Sequence, residues 1–346
     1  MSRVDVVIPC YKYAHFLPGC VESVLSQKGV DVRALIIDDC SPDNTEEVAR
    51  GLAAADTRVE YRRHAVNQGH IATYNEGLLG WASAEYSLLL SADDMLIPGA
   101  LARAVGLMDD HPAVGLTYGR EIRTGRPRFG AHVPPERCGW RILRGVEFIE
   151  LSCREADNIV PTPSAVVRTR VQQAIGGYRA ELPHSGDMEM WLRFAVHSAV
   201  GVIDAEQAYY RVHGQNMCRG YAGMNDLLAK RAAFETLFRE YGDRIPEADR
   251  ARLRDLAARR LAEMSFWTAS RRFEAGDDAG CQERLDFALR VYPGLQSRPE
   301  WSRLARKRMV GRRIWCLVAP LVRRLRRPRV DPALTPGSGP AAVSAG

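Results

Sequence analysis

The sequence predicts an α/β fold, a doubly wound and mostly parallel sheet carrying a small C-terminal helical appendage and a basic tail. Three observations carry this. Apolar runs of strand length alternate with stretches of helical period from Val4 to Tyr118, the pattern of successive βαβ units. Leu88-Leu89-Leu90 is apolar at every position, as a strand covered on both faces requires, and it ends abruptly at Ser91-Ala92-Asp93-Asp94. Beyond residue 224 only helical spacing recurs, and residues 301–330 then hold eleven Arg or Lys and no acid.

Each element follows in order. Val4–Pro9 reads as the first strand, closed by a proline where ladder bonds stop. Phe16, Leu17, Cys20, Val21, Val24 and Leu25 mark a helix, with Pro18 near its start where proline is tolerated. Leu35-Ile36-Ile37 is the second strand, ended by Asp38-Asp39-Cys40-Ser41-Pro42. A helix over 45–55 and a strand at Val59-Glu60-Tyr61 follow, then a turn at Asn67-Gln68-Gly69-His70 opening a helix. The central strand leads to a helix over 99–109 and a strand over 114–118. From Ile122 to Trp140 the pattern dissolves into Gly, Pro and Arg, the composition of a loop beside an active edge. Next come a helix over 146–153, a strand over 163–167, a helix over 171–175, a helix opening near Asp187, and two short strands at 200–203 and 208–211. Residues 224–291 read as two or three helices in a hairpin. Trp267, Phe273 and the Gly276-Asp277 break resemble one tetratricopeptide unit, and a single copy is no repeat array.

At 346 residues the chain accommodates one large domain, 1–220, a helical hairpin, 221–295, and a basic tail, 296–346, whose last sixteen residues have a disordered composition. The net charge of +6, less the eleven positive charges of 301–330, leaves −5 on the rest. A mildly acidic body argues against a nucleic-acid partner. Eight scattered cysteines without a CxxC pair or zinc spacing suit a reducing, cytoplasmic setting. The first strand begins too early to leave room for a signal peptide, and no apolar run approaches the roughly 20 residues that span a bilayer.

The chemistry is expected at the carboxyl edge of the sheet, where open α/β folds bind ligands. Asp93-Asp94 at a strand end suits a hard cation holding a diphosphate, since Mg²⁺ or Mn²⁺ takes a few carboxylates and completes its shell with phosphate oxygen and water. The alternative is a loop or helix cap. Asp187 precedes the stripe Met188, Trp191, Leu192, Ala195, and so falls in or just before the first turn of a helix, whose N-terminus favours an anion. It reads either as a general base or as a first-turn carboxylate contributing about 0.3–1 kcal/mol. Glu189 has Arg193 four residues on, the spacing of an ordinary ion pair.

Six pieces in this order resemble the inverting GT-A glycosyltransferases of family 2, whose fold is Rossmann-like: Val7–Tyr11, Ser23–Gln27, Ile37–Ser41, Asn67-Gln68-Gly69 with Asn75, Ser91–Asp94, and Gly186-Asp187 ahead of Trp191-Leu192-Arg193. The resemblance covers roughly residues 3–215. It implies transfer of a sugar from a nucleotide-sugar donor, UDP-linked, to an acceptor hydroxyl in polysaccharide, glycolipid or other glycoconjugate synthesis. Pro9, Tyr11 and Asn67 would belong to the donor pocket, Asp39 would accept the N–H of the base, and Asp93 would meet the ribose or a metal-bound water. Asp94 would ligate a divalent cation, Mn²⁺ or Mg²⁺, and Asp187 would be the general base. His213, in Tyr210-Arg211-Val212-His213, resembles an Arg-x-His turn that faces the diphosphate or metal; the alternative is a structural hydrogen bond. Two departures stand out: Ser91 where the family often has Asp, and Lys12 where it usually has Asn. Lys12 would meet a phosphate or point to solvent.

Arg303 to Arg329 brackets Ile314–Ala319 with arginines, which suits either an anionic membrane surface on the inner face of the cell membrane or a solvated or body-docked basic tail. A nicotinamide dehydrogenase lacks support, since no GxGxxG follows the first strand. A nucleotidyltransferase would release pyrophosphate instead. The remaining rival is a catalytically silent nucleotide-sugar-binding scaffold at the membrane.

Overall fold

Strand β1, Arg3–Cys10, is buried along nearly its whole length because both of its faces are covered. Val4, Val6 and Ile8 face one side, and Val7 the other. It pairs in parallel with β2, Asp31–Asp38, on one side and β4, Tyr86–Leu89, on the other, while β3, Val59–Arg63, extends the parallel sheet past β2. The computed structural model describes residues 1–346 except 136–137, 218–219, 221–222, 316 and 318–346. Its sheet runs β3-β2-β1-β4-β8-β6-β9-β5 with β7 on β9, where β5 is Met95–Leu96, β6 Val114–Thr124, β7 Trp140–Leu143, β8 Val166–Arg168 and β9 Ala199–Arg211.

The parallel expectation holds for the first four strands and then changes. β8 lies antiparallel between β4 and β6, and β5 and β7 are antiparallel to β9. β6 and β9 are parallel to each other. The reversal of β8 brings its start to the same edge as the ends of β1, β2, β4, β6 and β9. That edge collects the site.

Several boundaries move for local reasons. β6 runs on to Thr124, because its outer half pairs with β9 through register shifts that hide the alternation. The same irregularities make one strand, β9, of two short expected ones. Residues 162–164 form a 3₁₀ turn that follows Pro161 and contains Pro163, and the strand begins only at Val166. Helices α1, Leu17–Leu25, α2, Thr45–Ala55, and α4, Ala100–Asp110, fall where their apolar spacing put them. Helix α3, His70–Asn75, continues directly into a π-helical turn, Glu76–Trp81. Gly77 there approaches β1 so closely that a Cβ would meet Val7 Cγ1 at 2.3 Å. Helices α5, Gly145–Glu155, α6, Thr169–Ile175, and α7, Gly186–His197, complete the body.

The chain forms two compact units, Met1–Ala262 and Glu263–Gly346. The first therefore extends beyond the expected boundary at 220 and includes α8, Met224–Glu240. Arg179 ties it there by pairing with Glu240 as well as with Glu189 of α7. Helix α9, Glu247–Ala275, carries the chain into the second unit, which holds α10, Asp278–Val291, and α11, Pro299–Val310. In that unit Phe266 stacks on Trp301 and Lys307 pairs with Glu274. The expected disordered end and all of the arginines after Ala319 lie outside the described residues. No helix of the described residues is long and apolar enough to cross a membrane.

Candidate active site

The ends of β1, β2 and β4 are neighbours, so Pro9-Cys10-Tyr11, Asp38-Asp39 and Ser91–Asp94 meet. Backbone bonds tie these ends together, from Asp39 N–H to the Cys10 carbonyl (3.0 Å) and from Leu90 N–H to the Val7 carbonyl (2.9 Å). Pro9, Tyr11, Asp39 and Asn67 line one cavity of about 360 Å³. Asp93, Asp94 and Asp187 line another of about 450 Å³. Tyr13, His70, Tyr74, Ser91 and Met217 line both, so the two adjoin.

The two acids after β2 divide as their surroundings dictate. Asp38 caps the turn, its Oδ1 accepting Ser41 N–H at 2.8 Å and its Oδ2 taking Arg63 at 2.6 Å. Asp39 faces the smaller cavity and holds the loop behind it. Its carboxylate accepts the N–H groups of Gln68 (2.7 Å) and Gly69 (2.9 Å), and its carbonyl accepts Asn67 Nδ2. His64 lies behind, bridging Asp39 (2.7 Å) and Glu76 (2.8 Å). Burial alone would push His64 down, but the hydrogen bonds to these two carboxylates outweigh it and raise its pKa. Neither His64 nor Glu76 stood out in the sequence, since nothing local says that a strand-end histidine will meet an acid 25 residues away.

Two residues of this edge sit in the left-handed region, Lys12 at φ 65° and Cys40 at φ 59°, each directly after a site residue. Asparagine adopts that conformation more readily than lysine does, which gives a physical reason for the family's usual Asn at this place. The Lys12 backbone N–H donates to Ser41 Oγ, and its ammonium is exposed 4.9 Å from the centre of the Tyr11 ring.

Asp93 and Asp94 are both buried. Arg211 at the end of β9 holds them, its N–H donating to Asp94 Oδ1 (2.9 Å) and its Nε to the Asp93 carbonyl (2.7 Å). Burial, and then the charge of Asp93, push Asp94 well above the ordinary carboxylate range against the Arg211 N–H. His213 Nδ1 accepts Gln215 N–H (3.2 Å), so Nε2 carries the proton and donates to Asp93 Oδ2 at 2.9 Å. Among the described residues no three His, Cys, Asp or Glu form a closed metal cage. The pair nonetheless fits a hard divalent cation. It offers oxygen donors and surplus negative charge at the cavity wall, and Mg²⁺ or Mn²⁺ takes only one or two carboxylates when phosphate supplies the rest.

Asp187 is the second residue of α7, where the helix N-terminus favours its charge. Its Oδ2 accepts Thr162 Oγ at 2.7 Å, and Tyr178 donates a further hydrogen bond. Burial raises its pKa, while these two bonds and the nearby His70 and His184 pull it back. Glu189, two residues on, points away into a buried ion pair with Arg193 (2.7 Å) and Arg179 (3.2 Å). The structure thus gathers every sequence-predicted acid at one edge. It also adds Thr162 and Tyr178, which no local pattern marked.

Residues 5–165 match the model described as Glycosyl transferase family 2. Those residues are a family 2 glycosyltransferase domain. An uncharacterized glycosyltransferase of Nostoc sp. is 25% identical over 217 residues, 62% of this chain and 66% of that protein. A Sinorhizobium fredii protein is 30% identical over 196 residues, 55% of this chain and 20% of that one. The chain thus spans less than two thirds of the length of these relatives. S. aureus TarS, solved with UDP-GlcNAc, superposes with TM-score 0.61 at 17% identity, covering 87% of this chain and 82% of that one. A Pyrobaculum calidifontis mannosyltransferase in complex with GDP-Man and Mn²⁺ does so with TM-score 0.57 at 16% identity, covering 94% and 87%. At such identities the likeness establishes the fold of the family 2 domain, GT-A.

Proposed function

We propose that the protein is a divalent-cation-dependent, inverting glycosyltransferase that moves a sugar from a UDP-linked donor to an acceptor hydroxyl. The observation that carries this reading is the adjacency of two cavities, one with Asp39, Pro9, Tyr11 and Asn67, the other with Asp93, Asp94 and Asp187. The nucleotide would lie in the first. Asp39 is acceptor-only when ionised and suits a base with a matching N–H, such as uracil N3–H. Asp93, oriented by His213, would accept a ribose hydroxyl, and Asp94 would hold Mn²⁺ or Mg²⁺; His213, expected at the metal, has both ring nitrogens engaged by Asp93 and Gln215 and would orient rather than ligate. When bound, such a cation supplies Lewis-acid neutralisation of charge on the diphosphate. The nucleotide sugars and the Mn²⁺ named for the structural relatives support this choice.

The acceptor hydroxyl would then face Asp187. Asp187 takes its proton as the oxygen attacks the anomeric carbon, and the electron pair of the old bond leaves with the diphosphate from the opposite face. Inversion follows from that single displacement. Release of UDP from a panel of UDP-sugars and GDP-Man, with Mn²⁺ and with a chelator, tests the reading. UDP release that the chelator abolishes is expected; donor binding without release would favour the silent scaffold.

The acceptor would be a glycan, a lipid-linked intermediate or a small molecule, met in the cytoplasm or at the inner face of the membrane. The described start of the tail supports the second place. Met309, Val310, Ile314 and Leu317 are exposed beside Arg306, Arg308, Arg312 and Arg313, although 316 and 318–329 lie outside the described residues. Replacing Arg312, Arg313, Arg323 and Arg324 by Glu is expected to abolish flotation with anionic vesicles. Flotation unchanged by those substitutions removes the membrane reading.

A further inference from the structure

We infer that Asn75, Tyr178 and Thr162 are positioning residues, a frame that aims the Asp187 carboxylate into the cavity. The inference rests on the base assignment above and goes beyond it. Asn75 ends α3, where the helix passes into its π turn, a feature frequent at functional sites. Its side-chain amide grips the backbone of Tyr178 from both sides. Oδ1 accepts the Tyr178 N–H at 2.6 Å, and Nδ2 donates to the Tyr178 carbonyl at 2.8 Å. Gly177 permits this approach, because a Cβ there would stand 2.3 Å from Asn75 Oδ1.

So held, the buried Tyr178 stands edge-on to Tyr74 at 5.4 Å and donates its phenol to Asp187. Thr162 donates from the other side, out of the 3₁₀ turn fixed between Pro161 and Pro163. Thr162 and Tyr178, from separate loops, therefore hold the carboxylate while leaving it acceptor capacity for a substrate proton. Each is a hydrogen bond to the charged form, which opposes the effect of burial. Around them stand His70 and Tyr74 of α3 and His184 ahead of α7. Across the cavity are Asp93 and Asp94 after β4, Asp157 after α5, and Glu121 and Arg123 of β6. The two hydroxyls are therefore the groups to remove.

The test compares kcat, donor KM and the pH profile of the full chain with those of Tyr178→Phe, Thr162→Val and Asn75→Ala, using UDP release as the readout. Tyr178→Phe is expected to lower kcat about tenfold, since a hydrogen bond to a charged group is involved. Donor KM should stay unchanged, and the acidic limb of the profile should move to higher pH by about one unit. Asn75→Ala should move the limb the same way, by freeing Tyr178. A folded Tyr178→Phe enzyme with unmoved limb and wild-type kcat overturns the inference; should that variant not fold, Thr162→Val read in the same way decides. The two failures are distinguishable. Asp187→Asn at wild-type turnover sinks the base assignment itself, whereas its collapse beside unaffected Tyr178 and Thr162 variants sinks only the frame.

Discussion

Asp187→Asn is expected to lower kcat by about 10²–10⁴-fold while leaving donor affinity nearly unchanged, the loss typical of a removed general base. Asparagine keeps the shape of the side chain and its hydrogen bond with Thr162, but it cannot take a proton. The nucleotide cavity is lined by Pro9, Tyr11, Asp39 and Asn67, none of which touches Asp187, so titration with UDP should report the same affinity. Stability should move in the opposite direction to activity. The folded state raises the pKa of Asp187, chiefly through burial. A carboxylate so raised favours the fold below its unfolded pKa and loses that contribution as pH rises through its folded value. At neutral pH the charged group is therefore a burden on the fold, and the asparagine variant should melt no lower than the wild type. A variant that both turned over normally and melted normally would remove Asp187 from the mechanism.

What the sequence made legible was local. Asp93-Asp94 could be placed because the apolar run and its abrupt end lie within seven residues of one another. Asp39 was placed in the pocket only through the resemblance, whereas Glu189 was assigned to its ion pair from a four-residue spacing that the buried bond to Arg193 matches. What could not be read depends on contacts distant in the chain. The reversal of β8 brings Thr162 to the carboxyl edge, yet three paired residues give no signature of direction. Tyr178 and Asn75 are 103 residues apart, and a tyrosine after two glycines reads as a loop. His213 is the instructive middle case. Its presence at the site followed from resemblance, but its engagement with both Asp93 and Gln215 needed coordinates. Local residue patterns thus located the edge of the candidate site, and the tertiary fold supplied further groups around it.

Asp94→Asn should weaken catalysis by a different route, and the contrast separates the two acids. The substitution keeps the Arg211 N–H bond to Oδ1 and removes only the negative charge. A cation held at a departing diphosphate contributes several kcal/mol of transition-state stabilisation. Losing about 3 kcal/mol of it corresponds to roughly a hundredfold or more in rate at 1.36 kcal/mol per decade. Unlike the Asp187 variant, this one should also lose donor affinity in the presence of Mn²⁺, and raising the Mn²⁺ concentration should recover part of the rate. Without metal its affinity for UDP should match that of the wild type. Misfolding is not expected to confuse the result, because burial and Asp93 already disfavour the charge on Asp94, so neutralising it relieves the apo fold. Steady-state rates against Mn²⁺ concentration, with calorimetric titration of UDP with and without the metal, give both readouts. An unchanged Mn²⁺ dependence in the variant would place the cation elsewhere and leave Asp94 as a structural carboxylate bound to Arg211.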